Sequence, residues 1–467
     1  MTFGLLDGSA GKIAAAVRSG AVSAREATKA TLARIEALNR TLGAFTDVTA
    51  ARALMRAEAI DAARARGESL GPLAGAPFAV KNLYDVEGLP TRAGSKINRE
   101  RAPAGKDATL ISRLESAGAV LVGALNMGEY AYDFTGQNSH DGPSRNPHDL
   151  DHMTGGSSGG AGAAVTGGLV PIALGSDTNG SIRVPSSFCG VFGLKPTYAR
   201  LSRAGTFPFV ASLDHLGPFA RSVGDLALSY DAMLGPDPAD PAQADVPAAP
   251  ATPSLESGAA GLRIARLGGY FAHSAEPCAF AAVYTVARAL KADRVVELAG
   301  AGRARAAAYL ITMVEGGALH LERLQTRAAD FDPDVRDRLI AGAMLPGAWA
   351  VQAQKFRRRF RQEALALFRD VDILIAPATP CRAPRLGQKT IVLDGKELLV
   401  RPNMGLFTQP ISFIGLPVVA APVWTDGEKL PIAVQIIAAP WREDLALRVA
   451  RALERDGVVY APVAKLS

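Results

Sequence analysis

Gly155-Gly-Ser-Ser-Gly-Gly160 and, a short way on, Gly175-Ser-Asp-Thr-Asn-Gly-Ser-Ile-Arg183 are the two stretches that organise the reading of this chain. From Gly155 to Gly193 the composition is dominated by Gly, Ser and Thr, and charge nearly vanishes. Glycines on either side of a serine allow close backbone approach and positive φ. A run of main-chain N–H groups beside a serine is what an oxyanion hole requires, because developing negative charge needs donors already in place. Either loop alone reads equally as a glycine-rich turn with solvated serines. Together, with Asp177 and Arg183 placed to form a fixed ion pair around Ser181, they favour a catalytic constellation.

A nucleophilic serine needs a base, most often His. The six histidines are His140, His148, His152, His215, His273 and His320. Gly155-Gly-Ser-Ser-Gly159 matches the G-x-S-x-G elbow literally, but that elbow follows a hydrophobic strand. Here the preceding Asn146–Thr154 is polar and broken by Pro147, so an α/β-hydrolase is rejected. His148 and His152, four apart, have a spacing seen in metal sites, yet Pro147 and the loop composition make them surface residues. Lys81 is the better base. It ends the apolar run Gly75-Ala-Pro-Phe-Ala-Val80, and a desolvated lysine has its pKa lowered toward the range where it accepts a proton. A Ser–Ser–Lys set results.

Around these segments the chain alternates helices and strands. The first 65 residues read as helices, with Ser23 as N-cap and Glu26 completing a capping box. Phe78–Val80 reads as a short strand delivering Lys81, and helix 108–117 followed by strand 119–122 as an α/β step. Residues 236–260 are rich in Pro and Ala and read as an exposed loop. A strand over 261–267, helices over 301–368, and strands 372–376 and 432–437 complete one large α/β unit. The expected organisation is a single domain over 1–467, with N-terminal helices (1–65), a catalytic core (66–235), the loop (236–260) and the rest of the fold (261–467).

Composition supports an enzyme of this kind. The chain has 467 residues, 48% hydrophobic, enough for a large core. Its net charge of +6 over 96 charged residues is too mild to indicate direct nucleic-acid or membrane binding. Cys189, Cys278 and Cys381 are too far apart for a disulfide framework and fit a reducing compartment. No signal peptide or membrane-spanning run is expected, which predicts a cytoplasmic protein. With no phosphate-binding GK[ST] loop and no plausible metal set, no cofactor and no metal are expected.

Longer matches name a family. Gly71-Pro-Leu-Ala-Gly-Ala-Pro-Phe-Ala-Val-Lys81, Arg145-Asn-Pro147, the loop at 155–160, residues 175–197, Ser212-Leu-Asp-His-Leu-Gly-Pro218 and Leu430-Pro-Ile-Ala-Val-Gln435 resemble the amidase signature family over nearly the full length. The resemblance implies an α/β fold with a large mixed central β-sheet covered by helices on both faces. It also implies Ser181 as nucleophile, Ser157 as bridging serine with a cis peptide bond, Lys81 as base, and an oxyanion hole from the N–H groups of Thr178, Asn179, Gly180 and Ser181. Asn179 stands where the family usually has Gly. Asn tolerates left-handed backbone, and its side chain adds a donor and an acceptor that suit a small polar substrate; a neutral replacement fits equally.

Two branches are similar. One is the glutamine-hydrolysing component of glutamyl-tRNA(Gln) amidotransferase, its A chain; Gln354-Lys-Phe-Arg357 looks like its motif and implies that Arg357 pairs with a substrate carboxylate. The same arginine also reads as one of a solvated basic helix face, Arg357, Arg358, Arg359 and Arg361. The other branch deaminates 1-carboxybiuret to 1,3-dicarboxyurea and ammonia, and Asn179–Ser187 and the chain length favour it. The implied substrate is a small anionic amide, with Tyr309, Ala131 and Asn179 as further pocket residues. A small helical companion resembling the C component of the amidotransferase, and a homo- or hetero-oligomer, are implied as partners. A general small-amide amidase and a degenerate, non-catalytic amide binder are the remaining readings.

Overall fold

The computed structural model describes residue 4 and residues 7–466. Near the N-terminus, helix Ala10–Ser19 and helix Ala24–Leu42 pack ahead of helix Ala50–Ala65. Helix Ala24–Leu42 begins on the Ser23–Glu26 capping box expected from the sequence and stops at Gly43, whose φ of 58° is left-handed. One element departs from the all-helical expectation: Phe45–Val48 is a strand. Four residues between two helices carry no periodicity to read, and their pairing with Val120–Leu125 supplies the structure.

That strand is one edge of an eleven-stranded mixed sheet. Inward from it lie Val120–Leu125, Pro77–Lys81 and Ile172–Asp177, these three mutually parallel. His215–Ala220, Phe192–Lys195, Val418–Val423, Ile432–Ala438 and Ile373–Pro377 continue it by antiparallel pairing, and Ile264–Leu267 and Arg294–Val296 close the far edge in parallel. The central strands are buried along their whole length, as expected of a sheet covered on both faces. Alternation sends Phe78, Val80, Ile172 and Leu174 into one hydrophobic core, and Ala79 and Ala173 into a second with Ile13, Ile35, Ala161 and Val165.

Helix Gly159–Thr166 follows the first Gly/Ser loop and is wholly buried. Its small residues are a steric requirement: a Cβ on Gly160 would lie 2.5 Å from the carbonyl oxygens of Ala44 and Asn126. The 236–260 segment is less exposed than its composition suggests. Asp240, Ala251 and Leu255 are buried, and the Asp231 carboxylate accepts from the N–H of Ala251 and Thr252 at 2.6 and 3.0 Å. The strands expected at 261–267, 372–376 and 432–437 form as Ile264–Leu267, Ile373–Pro377 and Ile432–Ala438. Among the described residues no helix is long and apolar enough to cross a membrane.

Candidate active site

Parallel neighbours deliver the key groups to one place. Strand Pro77–Lys81 ends on Lys81, and the adjacent strand Ile172–Asp177 leads directly into the 178–181 loop. The chain between Met153 and Gly159 turns back toward the same strand ends, and its Gly156–Ser157 peptide bond is cis. Lys81 is fully buried, and its Nζ donates to Ser157 Oγ at 2.6 Å and to Ser176 Oγ at 2.9 Å. Burial lowers its pKa from 10.5 to about 7, against the opposing pull of Asp214, Asp177 and Asp133. Near neutral pH the amine therefore carries a lone pair for an appreciable fraction of the time, which an ordinary lysine does not.

Ser181 is 3% exposed and lines a small cavity with Ala131, Tyr132, Thr178, Asn179, Tyr309, Thr312, Arg338 and Gln409 among others. Its side chain makes no hydrogen bond to a described residue. The N–H groups of Thr178, Asn179, Gly180 and Ser181 likewise donate to no described acceptor, while the loop carrying them is held from all sides. Thr408 Oγ1 donates to Asn179 O at 2.7 Å, and Thr178 Oγ1 to Asp214 Oδ1 at 2.6 Å. Asp214 also accepts from the N–H of Phe209 and Val210. Gly180 has φ 142° and packs so closely on Thr408 that an added Cβ would sit 2.2 Å from Oγ1. Only glycine meets both conditions.

Below the loop, Asp177 and Arg183 form a fork-to-fork pair with both contacts at 2.9 Å and neither side chain exposed. Arg183 Nη1 further donates to Thr408 O at 3.0 Å and Gln435 Oε1 at 2.7 Å, and Nη2 to Ser412 Oγ. Burial works to raise the Asp177 pKa, but the Arg183 guanidinium outweighs it and holds the carboxyl well below the usual range. The Leu430–Gln435 motif thus enters the site through Gln435, as a brace for the arginine.

Two expectations need correction. Arg357 does not face Ser181. It bridges two main-chain carbonyls, Phe413 O and Ser212 O (2.8 Å to the latter), and lines a separate cavity with Tyr198, Gln354 and Trp441. Its Nε and Nη2 are held by these carbonyls, and it is not among the residues lining the Ser181 cavity. Nor is Asn179 a backbone substitute for glycine, since its φ is not left-handed. Tyr309 and Ala131 do line the Ser181 cavity. The two histidines expected at the surface are half-buried: His148 stands edge-on to Trp424 with Nε2 3.2 Å from Cys189 O.

Sequence reasoning missed Ser176, Arg338, Thr312 and Gln409. Ser176 lies within the quoted motif, and its place at a strand end was the available signal. Arg338 had none. It sits on helix Pro333–Ala343, its guanidinium 3.8 Å from the Tyr132 ring centroid, with Nε donating to Asp334 O and Nη2 to Tyr132 O. It is shared with an outer cavity lined by Asp334, Lys389 and Arg401, where Arg401 pairs with Asp133 and Asp334. Arg305 Nε donates to Gln409 Oε1 at 3.0 Å, which turns the amide nitrogen of that buried glutamine away from the arginine.

Comparison with known proteins agrees with this arrangement. The Amidase family model matches residues 26–447. AtzE of Pseudomonas sp. strain ADP, a component of 1-carboxybiuret hydrolase, is 56% identical over 443 residues, covering 95% of this chain and 97% of that protein. The A component of the Moorella thermoacetica glutamyl-tRNA(Gln) amidotransferase is 39% identical, with 93% of each chain covered. Among solved structures, an inhibitor-bound complex described as a vestigial protein complex that reveals the origins of an s-triazine catabolic enzyme superposes with a TM-score of 0.96. It is 54% identical, covering 97% of this chain and 100% of that one. The peptide amidase of Stenotrophomonas maltophilia gives a TM-score of 0.84 at 27% identity, covering 99% and 100%. The match spans the sheet, both serine loops and the lysine strand, and the chain belongs to the amidase signature family of amide C–N hydrolases.

Proposed function

We propose that this hydrolase deaminates 1-carboxybiuret to 1,3-dicarboxyurea and ammonia, with Ser181 as nucleophile, Ser157 as proton bridge and Lys81 as base. The observation that carries it is the 2.6 Å contact between a buried amine titrating near 7 and Ser157 Oγ, beside the cavity that Ser181 lines. Neutral Lys81 takes the Ser157 proton as Ser157 takes that of Ser181, and Ser181 Oγ attacks the terminal carbonyl. The N–H groups of residues 178–181 stabilise the oxyanion. The proton returns through Ser157 to the leaving nitrogen, the C–N bond breaks and ammonia departs. Water then hydrolyses the acyl-enzyme with the same groups acting in reverse. Arg338, with Nη1 making no hydrogen bond to a described residue, supplies the charge for the substrate carboxylate.

The 56% identity to a component of 1-carboxybiuret hydrolase supports the substrate. A small helical companion and a cytoplasmic location belong to the same proposal; a relative described as part of a protein complex supports the companion. The test is ammonia release from 1-carboxybiuret generated in place by opening cyanuric acid, with Ser181→Ala as control. Release that the variant abolishes is expected. Release from glutamine but not from carboxybiuret would overturn the substrate assignment in favour of the amidotransferase branch.

A further inference from the structure

Asn179 presents a buried acceptor that no described residue satisfies. The residue is 6% exposed and lines the Ser181 cavity, and its Oδ1 has no hydrogen-bond partner among the described residues. Which end of the amide is which follows from the neighbouring threonine. The single hydroxyl proton of Thr312 is donated to Ala308 O at 2.8 Å, so toward Asn179 the Thr312 oxygen can only accept. The atom 2.8 Å from it is therefore Nδ2, and Oδ1 faces the other way. Rotating the amide would set two acceptors against each other. Main-chain geometry does not call for asparagine here, because the backbone is not left-handed. Its side chain is held by a dedicated clamp, two residues from Ser181, with an acceptor left open. A buried polar atom without a partner is costly and marks a place where a ligand completes the bonding.

The ligand group must be a hydrogen-bond donor close to the carbonyl that Ser181 attacks. A carbon-chain amide such as glutamine offers donors only on its leaving NH₂ and has CH₂ on the other side of that carbonyl. A ureide, in which N–H takes the place of that CH₂, offers a donor on that side as well. We propose that Asn179 Oδ1 accepts from the N–H adjacent to the scissile carbonyl and selects ureides over carbon-chain amides. This rests on the reading of the Ser181 cavity as the substrate site. It deepens that reading by naming the residue that sets the preference for a ureide.

Two stable anions isolate the group concerned. Ureidoacetate and succinamate have the same terminal amide and carboxylate and differ by N–H against CH₂ next to the amide carbonyl. Binding to the full chain carrying Ser181→Ala, followed by calorimetry, reads the preference without turnover. Ureidoacetate should bind about tenfold more tightly, the range of one net hydrogen bond. Adding Asn179→Ala or Asn179→Gly should bring the ratio of the two affinities close to one. Thr312→Val, which frees the amide without touching position 179, should lower it as well. Equal binding of the two anions, failure of both to bind, or a ratio that persists without the Asn179 side chain would overturn the inference. Because the readout is affinity, it is separable from hydrolysis: a retained preference in a protein that does not deaminate carboxybiuret would sink the proposed reaction and leave the role of Asn179 standing.

Discussion

Lys81→Met, compared with the native chain from about pH 5 to about pH 10, tests the base through two independent readouts. Burial brings the Lys81 pKa from 10.5 to about 7. At about 1.4 kcal/mol per pH unit, that gap corresponds to roughly 5 kcal/mol between holding the ammonium in the fold and holding it in the unfolded chain. The unfolded chain keeps its proton up to about pH 10.5 and the folded one sheds it above about 7. Between those values the unfolded state binds more protons, so the Lys81 contribution to stability rises with pH. Below about 7 both states are protonated and the contribution is flat at its least favourable level. Urea unfolding of both proteins at each pH gives the difference between them, in which titrations common to both cancel. Relative to Lys81→Met, the native chain should gain about 2 kcal/mol between pH 7 and pH 9. In parallel, kcat/KM for ammonia release should rise about tenfold per pH unit below 7 and level off above it, because only the neutral amine takes the Ser157 proton. A rate that levels off only above about pH 9, or a stability difference that does not move with pH, would mean that the amine stays charged in the fold and that another group is the base.

Ser157→Ala and Ser181→Ala should each reduce kcat by at least about 1000-fold while shifting the urea midpoint little, since among the described residues Ser181 makes no side-chain hydrogen bond and the Ser157 hydroxyl bonds only the lysine. Arg183→Met leaves the Asp177 carboxylate buried and unpaired and should cost about 3–5 kcal/mol by urea unfolding; Asp177→Asn combined with Arg183→Met should cost less than the sum of the single changes. Arg338→Met should raise KM for anionic amides at least about tenfold and leave neutral amides nearly unchanged. Arg357→Met should instead destabilise the fold by about 2 kcal/mol, by orphaning two main-chain carbonyls, with KM little altered.

Where local chemistry dictates structure, the sequence was readable. Lys81 at the end of an apolar run, the Ser23–Glu26 box and the small residues of 155–183 each report a local requirement, and the sheet, the buried amine and the tight loop follow from them. What escaped depends on neighbours distant in the chain. Phe45–Val48 is a strand because Val120–Leu125 lies beside it. Arg338 reaches the cavity because helix Pro333–Ala343 packs beside Tyr132, 206 residues earlier. Arg357 shows the reverse failure. A basic run on a helix gives the charge and the periodicity, but which carbonyls capture each guanidinium is decided by tertiary packing. Asn179 was noticed for its identity, and its free acceptor became visible only with Thr312 in place.

The pairing of Phe78, Ala79 and Val80 with Ile172, Ala173 and Leu174 also governs how this protein can vary. Successive side chains on a strand point to opposite faces, so a slip of one residue would exchange Lys81 with its apolar neighbour and bury the amine under the wrong helical layer. An insertion or deletion anywhere along Pro77–Lys81 is therefore equivalent to losing the lysine, even with the residue still present in the gene product. Diversification for new amides is thus channelled into the cavity walls on the later helices, such as those carrying Thr312 and Arg338, which can be rebuilt without retuning the strands.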